Sequence, residues 1–113
     1  VTPSQAAYRA AEIIAERGHC KFSNQDADGR VCFMGALVVA LCREEGRDTG
    51  IAWDQFGNQI TRTAKAVLEA RFLAGERAIC TNPIFYNDSL AVTGEDVILL
   101  LKQTGQRLEE AGQ

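Results

Sequence analysis

Val31-Cys32-Phe33-Met34-Gly35-Ala36-Leu37-Val38-Val39-Ala40-Leu41-Cys42-Arg43-Glu44-Glu45 is the stretch whose reading decides the fold. Wound as a helix, its first twelve residues put apolar side chains on nearly every side rather than along one stripe, the pattern of a helix enclosed by the rest of its domain. The run falls short of the ~20 apolar residues that a membrane-spanning helix needs. Gly35 interrupts it at a cost of about 1 kcal/mol relative to alanine in a helix, which predicts a close helix crossing at that point.

Working outward, Thr2-Pro3-Ser4-Gln5 is a helix opening: Thr2 can cap, Pro3 suits the first helical position and Gln5 completes a capping box. Ala7, Ala10, Ala11 and Ile14 then recur at helical spacing, flanked by Tyr8 and Ile13, until Gly18 supplies a stop. Between His19 and Val31 short extended pieces surround Asn24-Gln25-Asp26-Ala27-Asp28-Gly29, where Asp28-Gly29 signals a turn. A small two-stranded hairpin or an ordered loop is expected there. Downstream, Gly46-Arg47-Asp48-Thr49-Gly50 reads as a loop, and Ile60, Ala64, Val67 and Leu68 mark a third helix with Arg62, Lys65 and Glu69 outside. The segment from Ala78 to Asp88, with Pro83 and the pair Phe85-Tyr86, reads as an irregular loop. Thr93-Gly94-Glu95-Asp96 opens a last helix along Val97, Leu100, Leu101, Thr104 and Leu108, which Gly105 should weaken. The expected architecture is mainly α: one compact four-helix domain over residues 1–113, with a central apolar helix and a small β-hairpin.

The chain has 113 residues, 46% hydrophobic and 24% charged, close to an ordinary soluble domain and far from the composition of disorder. Twelve Lys and Arg against fifteen Asp and Glu give a net charge of -3, which disfavours a nucleic-acid surface. Arg43, Arg47, Arg62, Arg71 and Arg77 are offset by Glu44, Glu45, Glu69 and Glu76, so a solvated, salt-bridged face is expected. The first helix carries Glu12 and Glu16 and lacks the basic start and continuous apolar core of a signal peptide. A cytoplasmic setting without membrane attachment is expected.

Cys32 and Cys42 share the central helix, ten residues and about 15 Å apart by helical rise, too far for a mutual disulfide. Reduced, buried thiols are expected, with a Cys20 to Cys80 bridge left open. The cysteines contain no Cys-x-x-Cys pair. Asn24-x-Asp26-x-Asp28-Gly29 imitates a calcium loop, but the twelfth position, where a bidentate Glu belongs, is Gly35. Neither a metal nor a cofactor is expected.

Two sets of residues could carry function. His19 could pair with Cys32 near the amino end of the central helix, with Asn87 or Asp88 orienting the imidazole, which would make a cysteine hydrolase of the Cys-His-Asn/Asp type. Against it, Cys32 is flanked by Val31, Phe33 and Met34 and no known catalytic signature surrounds it. The second set is Phe85-Tyr86-Asn87-Asp88-Ser89, where aromatic bodies beside hydrogen-bonding groups suit a binding surface, as do Trp53 and Phe56. The structural counterpart has Tyr86 plugging the core and Asn87 or Asp88 satisfying turn amides.

The Ala-rich first helix ending Glu16-Arg17-Gly18, the run Asp26-Ala27-Asp28-Gly29-Arg30-Val31-Cys32, Gly35-Ala36-Leu37, and Tyr86-Asn87-Asp88 ahead of Thr93-x-Glu95-Asp96-Val97 together resemble a family of small uncharacterised proteins of actinobacteria and their phages, DUF6197. The resemblance covers nearly the whole chain. It implies a helical domain in a bacterial or phage cytoplasm and brings no activity, cofactor or catalytic residue. On this basis the chain is expected to be a non-enzymatic protein-binding or regulatory module whose partner is another protein or a second copy. Its contact residues would be Trp53, Phe85, Tyr86, Asn87 and Asp88. A Cys32-based hydrolase and a nucleic-acid-binding accessory protein are the alternatives.

Overall fold

The computed structural model describes residues 2–42, 58–59, 61–63, 65–66, 83–89 and 91–113, the side chains at 42 and 83–85 excepted. Trp53, Phe56, Cys80 and the Gly46 to Gly50 loop lie outside the described residues. The elements follow in the order α1 (Pro3–Arg17), α2 (Phe33–Cys42), helical residues 58–59, 61–63 and 65–66 (α3), α4 (Pro83–Asp88) and α5 (Gly94–Glu110).

The two long helices begin where their sequences say they should. Thr2 Oγ1 accepts the Gln5 N–H at 3.2 Å while Gln5 Oε1 accepts the Thr2 N–H at 3.0 Å. Thr93 and Asp96 repeat the reciprocal cap at 3.2 and 2.9 Å, which satisfies amides that a helix start otherwise leaves open. α1 packs on both α5 and α2. Its buried face is mostly small, with Ala6, Ala7, Ala10 and Ala11 fully enclosed beside Ile13 and Ile14. α5 continues through Gly105, and the Tyr8 ring of α1 occupies the place of its side chain: a Cβ there would lie 2.9 Å from two ring carbons. The missing side chain is a close-packing device between two helices.

α2 is enclosed as its composition predicts, with Ala36, Leu37, Val38, Val39, Ala40 and Leu41 all buried. It starts later than the apolar run. Val31 belongs to the preceding loop, and Cys32 caps the helix through Sγ, which accepts the Gly35 N–H at 3.4 Å. Gly35 marks a close approach of a different kind from the expected helix crossing. A Cβ there would sit 1.9 Å from the Asn24 carbonyl oxygen, so a loop backbone rather than a second helix lies against it.

The 19–31 region forms isolated bridges instead of a hairpin: Val31 pairs with His19 in the parallel sense and with Gln25 in the antiparallel sense. Val31 is fully buried between these segments. The second difference from expectation is α4. Residues 83–88, read as irregular loop, are a short helix with Pro83 at its first position. The main core gathers Ile13, Ile14, Val31, Phe33, Leu37, Val97 and Leu101, and a satellite of Ala7, Ala66 and Leu108 joins α3 to α1 and α5. Among the described residues, no helix is long and apolar enough to cross a membrane.

Candidate functional site

Gly18 and Val31 begin a parallel ladder. The Val31 N–H donates to the Gly18 carbonyl at 3.1 Å, and the Cys20 N–H to the Val31 carbonyl at 3.0 Å. In a continuing ladder the Cys20 carbonyl would receive the Phe33 N–H. It does not, because the Asn87 carboxamide lies between the two. Asn87 Oδ1 accepts the Phe33 N–H at 3.0 Å, and Nδ2 donates to the Cys20 carbonyl at 3.2 Å. One side-chain amide thus replaces a main-chain bond by a two-bond relay, joining the 18–32 loop, the start of α2 and α4.

The remaining valences of that amide are also filled. Nδ2 donates to Asp88 Oδ1 at 3.0 Å, and His19 Nε2 donates to Oδ1 at 2.7 Å. The Cys20 carbonyl can only accept and the Phe33 amide can only donate, so the orientation of the Asn87 group is fixed. Its oxygen therefore faces His19, and Nε2 is the donor in that bond. Asn87 is 1% exposed, as this many satisfied polar bonds permit.

Asp88 extends the clamp outward. Its Oδ1 also accepts the Phe22 N–H at 2.9 Å, and the Lys21 ammonium donates to the Ser89 carbonyl. Phe22 is held at φ 68°, in the left-handed region, with its ring 76% exposed. Nearer Arg30, Asp26 Oδ1 accepts the amides of Asp28 and Arg30 at 3.0 and 2.9 Å, and Oδ2 takes the Arg30 Nε at 2.6 Å. Desolvation pushes the Asp26 carboxyl up, but the bonds from Arg30 outweigh it and hold the group below its ordinary value. The acids of the calcium-like pattern are thereby engaged with Arg30 and local amides.

The structure brings His19, Asn87 and Asp88 together and turns the Cys32 thiol elsewhere. Cys32 Sγ receives the Gly35 N–H and donates toward Asn24 Oδ1 at 3.7 Å; none of its described hydrogen bonds reaches His19. Burial pushes the thiol's pKa up, against the pull of the Gly35 and Met34 amides. That is the reverse of the environment that makes a thiolate nucleophile. Cys20 is likewise raised by burial, its Sγ donating toward the Ser23 and Arg30 carbonyls at 3.3 Å each. What the arrangement does chemically is fix an imidazole and splice a loop into the core.

Among the residues considered for binding, Tyr86 is half-buried and packs on the main core, and Asn87 faces inward. Trp53 and the Phe85 side chain lie outside the described residues. Phe22 escaped the sequence reading. Its signal was one aromatic among polar neighbours, Lys21-Phe22-Ser23-Asn24-Gln25-Asp26, where nothing local requires an apolar ring.

The family model for a family of unknown function, DUF6197, matches residues 1–107, and the chain belongs to that family. No curated protein and no solved structure matches the chain.

Proposed function

We propose, with membership of that family of unknown function as the premise, that the chain is a non-enzymatic protein-binding module of a bacterial or phage cytoplasm. Its anchor is Phe22. The observation that carries this reading is an aromatic ring left 76% exposed on a backbone conformation that disfavours it, with its N–H tied to Asp88 at 2.9 Å. A left-handed residue bearing a Cβ costs roughly 1 kcal/mol or more, and here the clamp beneath it holds the conformation. An aromatic fixed before contact loses little entropy on entering a partner's apolar pocket, which is how interface anchors gain their affinity. The partner is a different protein presenting such a pocket.

The test is quantitative capture from the native host with wild type, Phe22→Ser and, as a control on another surface, Leu99→Ser. A partner retained by wild type and by Leu99→Ser, and depleted at least about tenfold by Phe22→Ser, supports the proposal, since anchor residues contribute on that scale. Equal retention by all three refutes it. Sedimentation that depends on concentration in wild type but not in Phe22→Ser would assign the pocket to a second copy instead.

The hydrolase alternative draws on one observation, the His19–Asn87 bond at 2.7 Å, which orients an imidazole as a Cys-His-Asn site requires. It lacks the thiol: Cys32 is 7% exposed and serves as a helix cap.

A further inference from the structure

We propose that the cleft between α3 and the carboxyl end of α5 is an anion site that takes the phosphomonoester or diphosphate group of a small molecule. The cleft, open to solvent on one side, has a volume of about 330 Å³ and is lined by Arg62 and Lys65 from α3, Arg107 from α5 and Gln113 beyond it, over a floor that includes Ala66 and Leu108. Three cationic residues lining one cleft stand out in a chain whose acids outnumber its bases fifteen to twelve.

Among the described residues, the ordinary uses of such cations do not account for these three. Among the described residues none of the three belongs to an ion pair, whereas Arg9 pairs with Glu12 and Glu16, and Arg30 with Asp26 and Asp28. A basic residue in a last helical turn commonly covers open carbonyls. At the end of α5 the chain does this itself: the amides of Ala111, Gly112 and Gln113 take the carbonyls of Arg107, Glu109 and Leu108 at 3.0, 2.9 and 2.7 Å. Glu109, a nearby carboxylate, acts on the Tyr8 phenol of α1 and raises it above its ordinary pKa. The floor is apolar, with Ala66 and Leu108 at 7% and 5% exposure, and an apolar wall strengthens a charge-assisted bond to a bound anion.

The volume fits one or two phosphoryl groups with their hydrogen-bonded cations. The net negative charge of the whole chain repels a polyanion at longer range.

Pyrophosphate titrated into the ¹⁵N-labelled protein at low salt, with inorganic phosphate and a single-stranded oligonucleotide in parallel, tests the assignment. The expected result is saturable shifts at residues 62–66 and 107–113, weakened roughly tenfold by Lys65→Gln and by Arg107→Gln, the effect of losing one charge-assisted hydrogen bond. Arg9→Gln, on a paired cation elsewhere, leaves the affinity unchanged. All three positions have solvent-accessible side chains, and an unaltered amide spectrum before titration confirms the fold. Absence of saturation by pyrophosphate, shifts centred elsewhere, or wild-type affinity in both cleft variants overturns the proposal. Tighter binding of the oligonucleotide than of pyrophosphate overturns the assignment to a small molecule.

Discussion

Replacing Asn87 by alanine should be among the most costly single changes in this protein, and the structure says why. The carboxamide is the partner of two buried main-chain groups, the Phe33 N–H and the Cys20 carbonyl. Leaving a buried polar group unpaired costs about 1–3 kcal/mol, so the two together cost about 4 kcal/mol. A domain of this length has a total stability of about 6–17 kcal/mol by the usual per-residue range. At about 2.1 cal/mol/K per residue of unfolding entropy, the midpoint should fall by roughly 15 °C. Urea unfolding followed by circular dichroism gives the free energy, and calorimetry gives the midpoint. A void could mimic the effect, so the deciding variant is Asn87→Leu, which restores the volume but not the hydrogen bonds. Both variants should lose similar stability. If Asn87→Leu stays within about 1 kcal/mol of wild type, less than one orphaned group would cost, the relay contributes little and the reasoning fails.

Gly35→Ala should destabilise by about 2–4 kcal/mol despite its better helix propensity, because the new methyl meets the Asn24 carbonyl oxygen at 1.9 Å and backbone must move. Gly105→Ala meets only the Tyr8 ring, a side chain able to shift, so its change in urea midpoint should be the smaller of the two. Native Cys32 and Cys20 should resist iodoacetamide at neutral pH, their thiols raised above the ordinary 9.0, and react on unfolding; peptide mapping that finds Cys32 labelled in the native state would revive the hydrolase reading. The Asp26 carboxyl is depressed on folding, so its contribution is present above its ordinary value near 3.8 and is lost as pH falls through the lower folded value. The Asp28 and Arg30 amides should therefore keep their folded chemical shifts to below pH 3.8, and their loss by pH 5 would contradict the Arg30–Asp26 pairing.

Local rules made the long helices legible. Thr2 with Gln5 and Thr93 with Asp96 carry their whole meaning within four residues, and the alanines of α1 announce a closely packed face. The apolar run of α2 was equally plain, but its start was not, since Cys32 acts as a cap through sulfur and cysteine is not among the usual capping residues. Gly35 could be read as a place where something comes close. That the something is the Asn24 carbonyl depends on how the loop returns, which no local pattern encodes. The same holds for the site. Asn87 and His19 were each visible as polar residues in odd places, yet their bond joins positions 68 residues apart. The further pairing of Asn87 with the Cys20 carbonyl and the Phe33 amide is main-chain chemistry, silent in side-chain identities. Pro83 looked like a breaker and proved to be a first-turn residue of α4, a position where its missing N–H costs nothing.

Amide hydrogen exchange at Phe33 tests most directly whether Asn87 splices the loop into the core. The first amides of a helix normally have no partner and exchange quickly. Because Asn87 Oδ1 holds this one inside the protein, the Phe33 amide should exchange only through opening that approaches the global free energy, and Asn87→Leu should abolish that protection. Exchange at Phe33 as fast as at an uncapped helix start in the wild-type protein would contradict it.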